Sequence, residues 1–323
     1  MSSLINNMKI VILEPEVKFN SAQKDKLKKL GQVIFANPND YSTDELVKLC
    51  QDADILGPGP DGFGGFEKAK ENLNKLLVHL PKLKGLALPS TSYGWVDIEY
   101  CRQRHLPVSN IPHYSRESVA EHSFALLLCL AKRIIETDRL TQKGQYQLQM
   151  GFELKDKTLG IIGLGSIGSR VAELGLAVGM KVIAYNRSRK KQKGVDMKSF
   201  KEVLKQSDAL SIHLTDCEAT RGIIGKKEIS LMKKGVILVN TADRSMVDEK
   251  GMAKALKARK ISGYAAEVED LENTPLVKIN RAILIRGFGW YTKEALNNLV
   301  ETWIDNIEKM IKGKPQNLVS WGD

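Results

Sequence analysis

The sequence predicts an α/β protein with two doubly wound parallel-sheet domains. Its 323 residues exceed one typical domain, so two sizeable cores are expected. Short apolar runs alternate with helical patterns along nearly the whole chain, which is typical of parallel sheets covered by helices. A turn with glycines at 163, 165 and 168 follows one apolar run and precedes a helical pattern, which is the order found in nucleotide-binding α/β units.

The first third of the chain reads as one such α/β unit. A helix is predicted to begin at Thr43, because Ser42 and Glu45 have the spacing of a capping box. Neither internal repeats nor low-complexity segments interrupt this region. The predicted strands are residues 9–13, 33–35, 55–56, 86–88 and 108–109.

One long apolar helix is predicted over residues 117–139, after Pro112. Its apolar residues lie on more than one face, which fits either a plain core helix or a helix that also packs on a second subunit. Both interpretations stay open, and a homodimer is expected on the second.

The second α/β unit spans residues 159 to about 287. Helices are predicted over residues 199–205, 226–233 and 248–260, and a last helix over 292–312 is long enough to return to the first unit. The six predicted strands, which match a complete dinucleotide-binding sheet, are residues 159–162, 181–184, 209–213, 236–239, 263–266 and 282–285.

The glycine spacing between residues 163 and 168 has a physical reason. Gly163 allows a sharp turn, Gly165 lets a backbone without Cβ approach a pyrophosphate, and Gly168 lets the helix pack close to the strand. The amides of Ser166 and Ile167 at the helix start would face the anion. The alternative is a glycine-rich turn of an ordinary α/β unit. The strand that follows and ends at residues 185–186 argues against this alternative.

Composition bounds the class of protein. The net charge of +11, from 49 Lys and Arg against 38 Asp and Glu, is spread over amphipathic helices, so it indicates a solvated surface that favours anionic ligands and no nucleic-acid partner. No apolar run has the length of a membrane span and no signal peptide is expected, so we predict a cytoplasmic protein that contacts no membrane. The four cysteines show no metal-like spacing, suit a reducing compartment and predict no metal site; they are Cys50, Cys101, Cys129 and Cys217.

Several motifs together resemble the D-isomer-specific 2-hydroxyacid dehydrogenase family over nearly the whole chain. The resemblance implies a Rossmann NAD(P)-binding domain (111–287) inserted into a flavodoxin-like substrate domain (1–110 and 288–323), a small-molecule substrate bound in the cleft, and usually a homodimer. The matching motifs are VSNIP at 108–112, SVAEH at 118–122, KTLGIIGLGSIG at 157–168, ALSIHL at 209–214 with TRG at 220–222, and VNTA at 239–242 with VDE at 247–249.

The same resemblance implies three catalytic side chains, of which this sequence keeps one in register. Family members use a histidine as proton donor, a glutamate that holds it, and an arginine that pairs with the substrate carboxylate. The arginine position holds Asp243, and Arg244 comes one place later, where an adjacent side chain generally points elsewhere. The histidine position holds Gly287, and no histidine follows His213.

Replacement groups can be nominated around these positions. The glutamate position falls on Glu272, and Asp243, Glu267 and Glu272 would make an acidic cleft. His113 could replace the missing acid, although a hinge or capping role is the stronger interpretation. Tyr291 and Trp290 lie beside the lost histidine, in an aromatic rim with Phe288 and Trp303. Carboxylate binding is expected from Thr91, Ser92 and Tyr93, where the family has a glycine-bearing turn, whereas His122 is expected to be structural.

The cofactor is expected to be NADP, with NAD as the second choice. Asn186 stands where an acid would read the adenosine ribose, and a basic run follows it that could hold a 2′-phosphate or could be a plain solvated loop. Arg187, Ser188 and Arg189 open that run. The resemblance adds His213, Leu214, Thr241, Ala242 and Glu267 as cofactor-binding residues.

Two functions remain open at this point. The first is an NAD(P)-dependent oxidoreductase with a remodelled active site and an atypical substrate, such as an imine or a cationic compound. The second is a cofactor-binding homologue with little turnover that acts as a sensor or interaction protein.

Overall fold

The structure is a computed structural model, and it describes residues 8–188, 190–268 and 271–319. The chain divides into two compact units, one made of Met1–Tyr114 with Lys293–Asp323 and one made of Ser115–Thr292. Each unit is a parallel sheet flanked by helices, which confirms the predicted fold class. In the described part of the chain, no helix has the length and apolarity to cross a membrane.

The first unit contains a five-stranded parallel sheet in the order β2-β1-β3-β4-β5. This is the flavodoxin-like order, in which the chain direction across the sheet reverses between β1 and β3. The strands are β1 Lys9–Leu13, β2 Gln32–Phe35, β3 Ile55–Pro58, β4 Gly85–Ala87 and β5 Val108–Ser109.

Among the described residues of the first unit, five α-helices accompany this sheet. Ser42 caps the second of them with the predicted capping box: its hydroxyl accepts from the Glu45 amide, and the Glu45 carboxylate accepts from the Ser42 amide. The helices are α1 Ser21–Lys28, α2 Thr43–Cys50, α3 Gly65–Leu77, α4 Ile98–Gln103 and, from the C-terminal segment, α11 Lys293–Ile311.

The assignment of Trp303 to the aromatic rim is wrong. Its side chain is 2% exposed, and its indole nitrogen donates to the carbonyl of Ala87 at 2.7 Å. The helix α11 thus packs its apolar face on the first sheet, and Trp303 lies in that core.

The second unit contains a seven-stranded parallel sheet in the order β12-β11-β10-β9-β6-β7-β8. Six strands were predicted, and the additional one is the three-residue edge strand β8, whose residues are all at least partly exposed. The order is that of a Rossmann sheet extended by one strand. The strands are β6 Thr158–Ile162, β7 Lys181–Tyr185, β8 Val195–Met197, β9 Ala209–Ile212, β10 Val236–Asn240, β11 Ile261–Val268 and β12 Ala282–Arg286.

The predicted single helix over residues 117–139 is wrong. It is divided at Arg133, whose φ of 58° lies in the left-handed region and ends a regular helix. The Arg133 guanidinium donates to the carbonyl of Ser262 at 2.7 Å, which fixes the break. The helices of this unit are α5 Arg116–Ala131, α6 Ile134–Thr141, α7 Ser166–Ala177, α8 Phe200–Gln206, α9 Lys226–Leu231 and α10 Glu249–Lys257.

The unit boundaries lie at Tyr114 and Thr292, a few residues beyond the positions 110 and 287 expected from the sequence. Hydrogen bonds within each unit account for the positions. The Tyr114 carbonyl accepts from Asn298 of the first unit, whereas the backbone of Gly289 is bonded to Ser118 and Glu267 of the second.

Candidate dinucleotide site and adjoining turn

Gly163 lies directly after β6, at the point where the order of the second sheet reverses between β6 and β9. Its φ is 96°, and a β-carbon there would stand 2.4 Å from the carbonyl oxygen of His213, which follows β9. Ligands of open α/β sheets bind in the crevice at such a switch point. The two strand ends therefore approach as closely as a glycine permits where a dinucleotide would bind.

The other two glycines of the turn have different surroundings. A β-carbon on Gly168 would lie 2.0 Å from the Gly163 carbonyl oxygen, so this glycine lets the helix α7 pack on the turn. A β-carbon on Gly165 would meet no atom within 4 Å, so the space beside Gly165 is open. The helix begins at Ser166 with no side-chain cap, which leaves its first amides, including that of Ile167, for an anion.

Asn186 links the end of β7 to the glycine turn. Its Oδ1 accepts from the amide of Leu164 at 3.0 Å, and its Nδ2 donates to the carbonyl and the hydroxyl of Ser188 at 3.0 Å each. Arg187 is exposed beside it, and Arg189 lies outside the described residues. The residue at the ribose-reading position is thus a neutral side chain held in place by its own neighbours.

Polar side chains order the remaining predicted cofactor residues. His213 Nε2 lies 2.8 Å from the hydroxyl of Ser211, and burial lowers the pKa of His213 to about 3, so its ring is neutral. The Thr241 and Ser123 hydroxyls are 2.7 Å apart, and the Ala242 amide donates to Asn240. Leu214 is half-buried after His213.

Asp243 and Arg244 point to different partners. Asp243 lies three residues beyond the end of β10. Its Oδ1 accepts from the amide of Ser245 at 2.8 Å. The Arg244 guanidinium forms two hydrogen bonds with the carboxylate of Glu249, at 3.1 and 2.9 Å. Arg244 is therefore engaged with the start of α10, as expected for a side chain adjacent to Asp243.

Gly287 begins a turn rich in exposed aromatic residues at the end of β12. A β-carbon on Gly287 would meet no atom within 4 Å, so the space beside this residue is open. Phe288, Trp290 and Tyr291 are 49%, 38% and 63% exposed, and the last two rings meet edge to face at 5.4 Å. We name residues 287–291 the aromatic turn.

Glu267 reaches this turn from the neighbouring strand β11. Its Oε1 accepts from the amides of Phe288 at 3.1 Å and Gly289 at 2.7 Å. The same oxygen lies 3.2 Å from Nε2 of His122, whose ring packs edge-on against that of Phe288 at 5.1 Å. The described contacts of Glu267 are thus with the turn and with helix α5.

Two of the other nominated catalytic residues lie on other segments of the chain. Glu272 is exposed in the loop between β11 and β12, beyond residues 269–270, which are not described. His113 belongs to the first unit, is exposed and has a φ of 63°. Its conformation fits the hinge or capping interpretation, and the catalytic roles of Glu272, His113 and Tyr291 stay predictions.

The proposed carboxylate loop of the first unit follows β4. The Thr91 hydroxyl donates to the carbonyl of Ile111, and the indole nitrogen of Trp95 donates to the Ser90 hydroxyl and the Ser92 carbonyl. These bonds fix the loop, and the amides of residues 91–94 donate to no acceptor within the described residues. The exposed loop, with Tyr93 at its tip, therefore presents free amides to an anion.

Sequence reasoning did not assign functions to Ser118, Ser123 and Asn240. Ser118 donates to the carbonyl of Gly289, and Asn240 donates to the carbonyl of Asp243 at 2.8 Å. Ser118 and Asn240 belong to motifs that carry the family resemblance, and this membership could have drawn attention to them. Their hydrogen-bond partners could not be predicted, because the partners lie on another element or depend on the conformation of a turn.

The sheet order, the three glycines and the uncapped helix start define a dinucleotide-binding protein. The family model for the NAD-binding domain of D-isomer-specific 2-hydroxyacid dehydrogenases matches residues 124–285. The glyoxylate reductase of Aeropyrum pernix is 36% identical over 263 residues, which cover 76% of this chain and 78% of the relative.

Two solved structures cover 97% of this chain. An acyclic imino acid reductase in complex with NADPH and D-Arg superimposes with a TM-score of 0.80, 30% identity and complete coverage of its chain. A glyoxylate reductase from Paecilomyes thermophila superimposes with a TM-score of 0.83, 24% identity and 98% coverage, which shows a common fold.

The chain belongs to the D-isomer-specific 2-hydroxyacid dehydrogenase family. It is an NAD(P)-dependent oxidoreductase of that family.

Proposed function

We propose that the chain reduces the C=N bond of an imino acid rather than the C=O bond of a simple 2-oxo acid. The observation that carries the proposal is the pair of residues at the ends of β10 and β12. Asp243 and Gly287 stand where the family resemblance implies the catalytic arginine and histidine. The site then has a carboxylate in place of a cation and no imidazole in place of a proton donor.

The two kinds of substrate need different neighbours. The nicotinamide, when bound, supplies a hydride. A reduced carbonyl becomes an alkoxide and needs a proton donor and a cation beside it. A protonated imine already carries its proton and a positive charge, and it becomes a neutral amine. Such a substrate is stabilised by a carboxylate, which Asp243 provides, and requires no histidine at residue 287.

The contacts of Asp243 support this role. Its Oδ1 is occupied by the amide of Ser245, while its Oδ2 has no hydrogen-bond partner among the described residues. The free amides of residues 91–94 in the first unit would bind an anion such as a carboxylate. The resemblance at 30% identity to an imino acid reductase also favours the proposal.

Turnover should depend on an amine. We expect slow NADPH oxidation with pyruvate or glyoxylate alone and fast oxidation when methylamine is added, because the amine converts the 2-oxo acid into an imine. Asp243→Asn keeps an acceptor for Ser245 but removes the charge, and should lower the amine-dependent kcat/KM by about tenfold or more. Asp196→Asn, at an exposed aspartate of β8, is the control. Equal rates with and without amine would reject the imine.

Cofactor preference is expected to favour NADPH. The neutral Asn186 does not repel a 2′-phosphate, and Arg187 lies exposed beside it. Asn186→Asp can still accept from Leu164 but adds a negative charge, and should shift the ratio of the NADPH and NADH dissociation constants by about tenfold, or ~1.4 kcal/mol. Fluorescence titration measures both constants, with Asn280→Asp as the control. Stronger NADH binding by the unmodified protein would reverse the assignment.

We also propose a homodimer, on a different surface from the predicted one. The apolar residues Phe124, Leu127 and Leu130 of α5 are buried inside their own unit. Between α6 and β6, however, Tyr146, Leu148 and Met150 are 86%, 104% and 93% exposed, separated by glutamines. Alternating exposed apolar side chains on one segment indicate a surface that another chain covers.

Sedimentation should give about twice the chain mass of 36.0 kDa. Leu148→Ser with Met150→Ser should produce a folded monomer, because it removes the exposed apolar surface. Val17→Ser changes an isolated residue of the first unit that is 91% exposed, and should leave the dimer intact. A monomeric unmodified protein at micromolar concentration would contradict the proposal.

We infer that the second unit binds the dinucleotide and that the first unit binds the substrate. The glycine turn lies in the former and the free amides of residues 91–94 in the latter.

All four cysteines are free thiols, which supports a reducing, cytoplasmic compartment.

A further inference from the structure

The aromatic turn is held by side chains from two other elements of its own unit. Glu267 on β11 accepts from the amides of Phe288 and Gly289 through a single oxygen. Ser118 on α5 donates to the carbonyl of Gly289. The turn also closes on itself, because the Tyr291 amide donates to the Phe288 carbonyl at 2.8 Å.

Gly289 is packed so closely that the turn has little freedom. A β-carbon there would stand 2.9 Å from Cδ2 of His122 and 3.0 Å from Oε1 of Glu267. The carboxylate and imidazole side chains of these residues are 12% and 16% exposed. Gly289 is therefore fixed between helix α5 and strand β11.

The aromatic turn has a tightly packed part at Gly289 and a solvent-exposed part at Trp290 and Tyr291. Trp290 and Tyr291 follow Gly289 directly and remain 38% and 63% exposed. Their rings are in edge-to-face contact, with an interplanar angle of 83°. An ordered pair of exposed aromatic rings favours organic cations, because the ring faces carry negative charge density.

We propose that Glu267 is a positioning residue that, with Ser118 and His122, fixes the aromatic turn so that Trp290 and Tyr291 select a cationic imino acid. The selected substrate class rests on the proposed function. The fixing of the turn by Glu267, Ser118 and His122, which we name the clamp, rests on the contacts alone. Glu267 reaches the amides of the turn from the adjacent strand β11.

Hydrogen–deuterium exchange tests the clamp without any substrate. In the full chain, Glu267→Ala should accelerate exchange of the Phe288 and Gly289 amides by at least about tenfold, because both lose their acceptor. Glu267→Gln keeps an acceptor oxygen and should stay within about threefold. Gly289→Ala should open the turn by steric overlap, whereas Gly287→Ala, whose β-carbon meets no atom within 4 Å, should leave the exchange unchanged. Unchanged exchange in Glu267→Ala overturns the clamp.

Kinetics test the selective role of the turn. With pyruvate and methylamine, Trp290→Leu and Gly289→Ala should each lower kcat/KM by about tenfold through an increase in KM, with the NADPH dissociation constant within about twofold. A tenfold loss of NADPH affinity in both variants would assign the turn to the cofactor and overturn the selective role. If no imine is reduced but the amides of Glu267→Ala still exchange faster, the proposed function fails and the clamp stands.

Discussion

Asp243→Arg combined with Gly287→His is expected to raise kcat/KM for glyoxylate by at least about tenfold over the unmodified protein. Removing a proton donor or a positioning cation commonly costs about a hundredfold each, so restoring both should recover part of that loss. The unmodified protein should correspondingly reduce glyoxylate, pyruvate and hydroxypyruvate slowly. NADPH absorbance measures all of these rates.

The structure accommodates the histidine better than the arginine. A β-carbon on Gly287 meets no atom within 4 Å, so the first atom of a histidine side chain displaces no neighbour there. Asp243→Arg removes the hydrogen bond from the Ser245 amide to Oδ1, so the short turn after Asp243 should become less ordered. Arg244 should not interfere, because Glu249 holds its guanidinium.

Each single variant and the pair Asp243→Asn with Gly287→Ala serve as controls. The single variants should gain less than the double variant, because the two groups act on the same carbonyl. Asp243→Asn with Gly287→Ala changes both positions without adding a cation or an acid, and should not gain glyoxylate activity. Fast glyoxylate reduction by the unmodified protein would show that another residue performs these roles.

Gly165→Ala is expected to weaken NADPH binding by at least about a hundredfold without unfolding the protein. A β-carbon on Gly165 meets no protein atom, but it occupies the space through which a pyrophosphate would approach the backbone. Fluorescence titration should show the loss of affinity. Thermal unfolding without cofactor should leave Tm within a few degrees of the unmodified value.

Gly168→Ala and Gly163→Ala are the matched comparison. Their β-carbons would stand 2.0 Å from the Gly163 carbonyl oxygen and 2.4 Å from the His213 carbonyl oxygen. Each change should therefore lower the free energy of unfolding by about 1–3 kcal/mol or more, which thermal unfolding detects as a lower Tm. Normal NADPH binding by Gly165→Ala would contradict the assignment of the turn to the dinucleotide.

The features that the sequence predicted are those encoded by local patterns. The capping box of Ser42 and Glu45 forms as expected, because both partners lie in one turn of chain. Glycine spacing at residues 163–168 likewise specified a turn whose three glycines have different surroundings. The parallel strands followed from the alternation of short apolar runs with helical patterns along the chain.

Features that depend on distant partners were missed. At the helix break, the Arg133 guanidinium bonds to the distant Ser262 carbonyl, and nothing in the periodicity marks the break. Strand β8 is short and partly exposed, so it lacks an apolar run. Trp303 was grouped with the aromatic residues that precede it in the C-terminal segment, whereas its indole nitrogen bonds to the carbonyl of Ala87 in the core of the first unit.

The sequence indicated which positions to consider for the candidate site, but not the hydrogen-bond partners of the residues there. Asn186 was identified at the end of its strand, but its bond to the Leu164 amide depends on the folded turn. Glu267 was assigned to the cofactor, and its described hydrogen bonds are with the amides of the aromatic turn. His122 was expected to be structural, and the contact of its ring with Phe288 is consistent with that role.

Identification of the product tests the central claim most directly. The full-length protein is incubated with NADPH, pyruvate and methylamine, and the products are separated and identified by mass spectrometry. Reduction of the imine gives N-methylalanine, whereas reduction of the carbonyl gives lactate. We predict N-methylalanine as the main product and a much smaller yield of it with Asp243→Asn; lactate as the main product would contradict the proposed function.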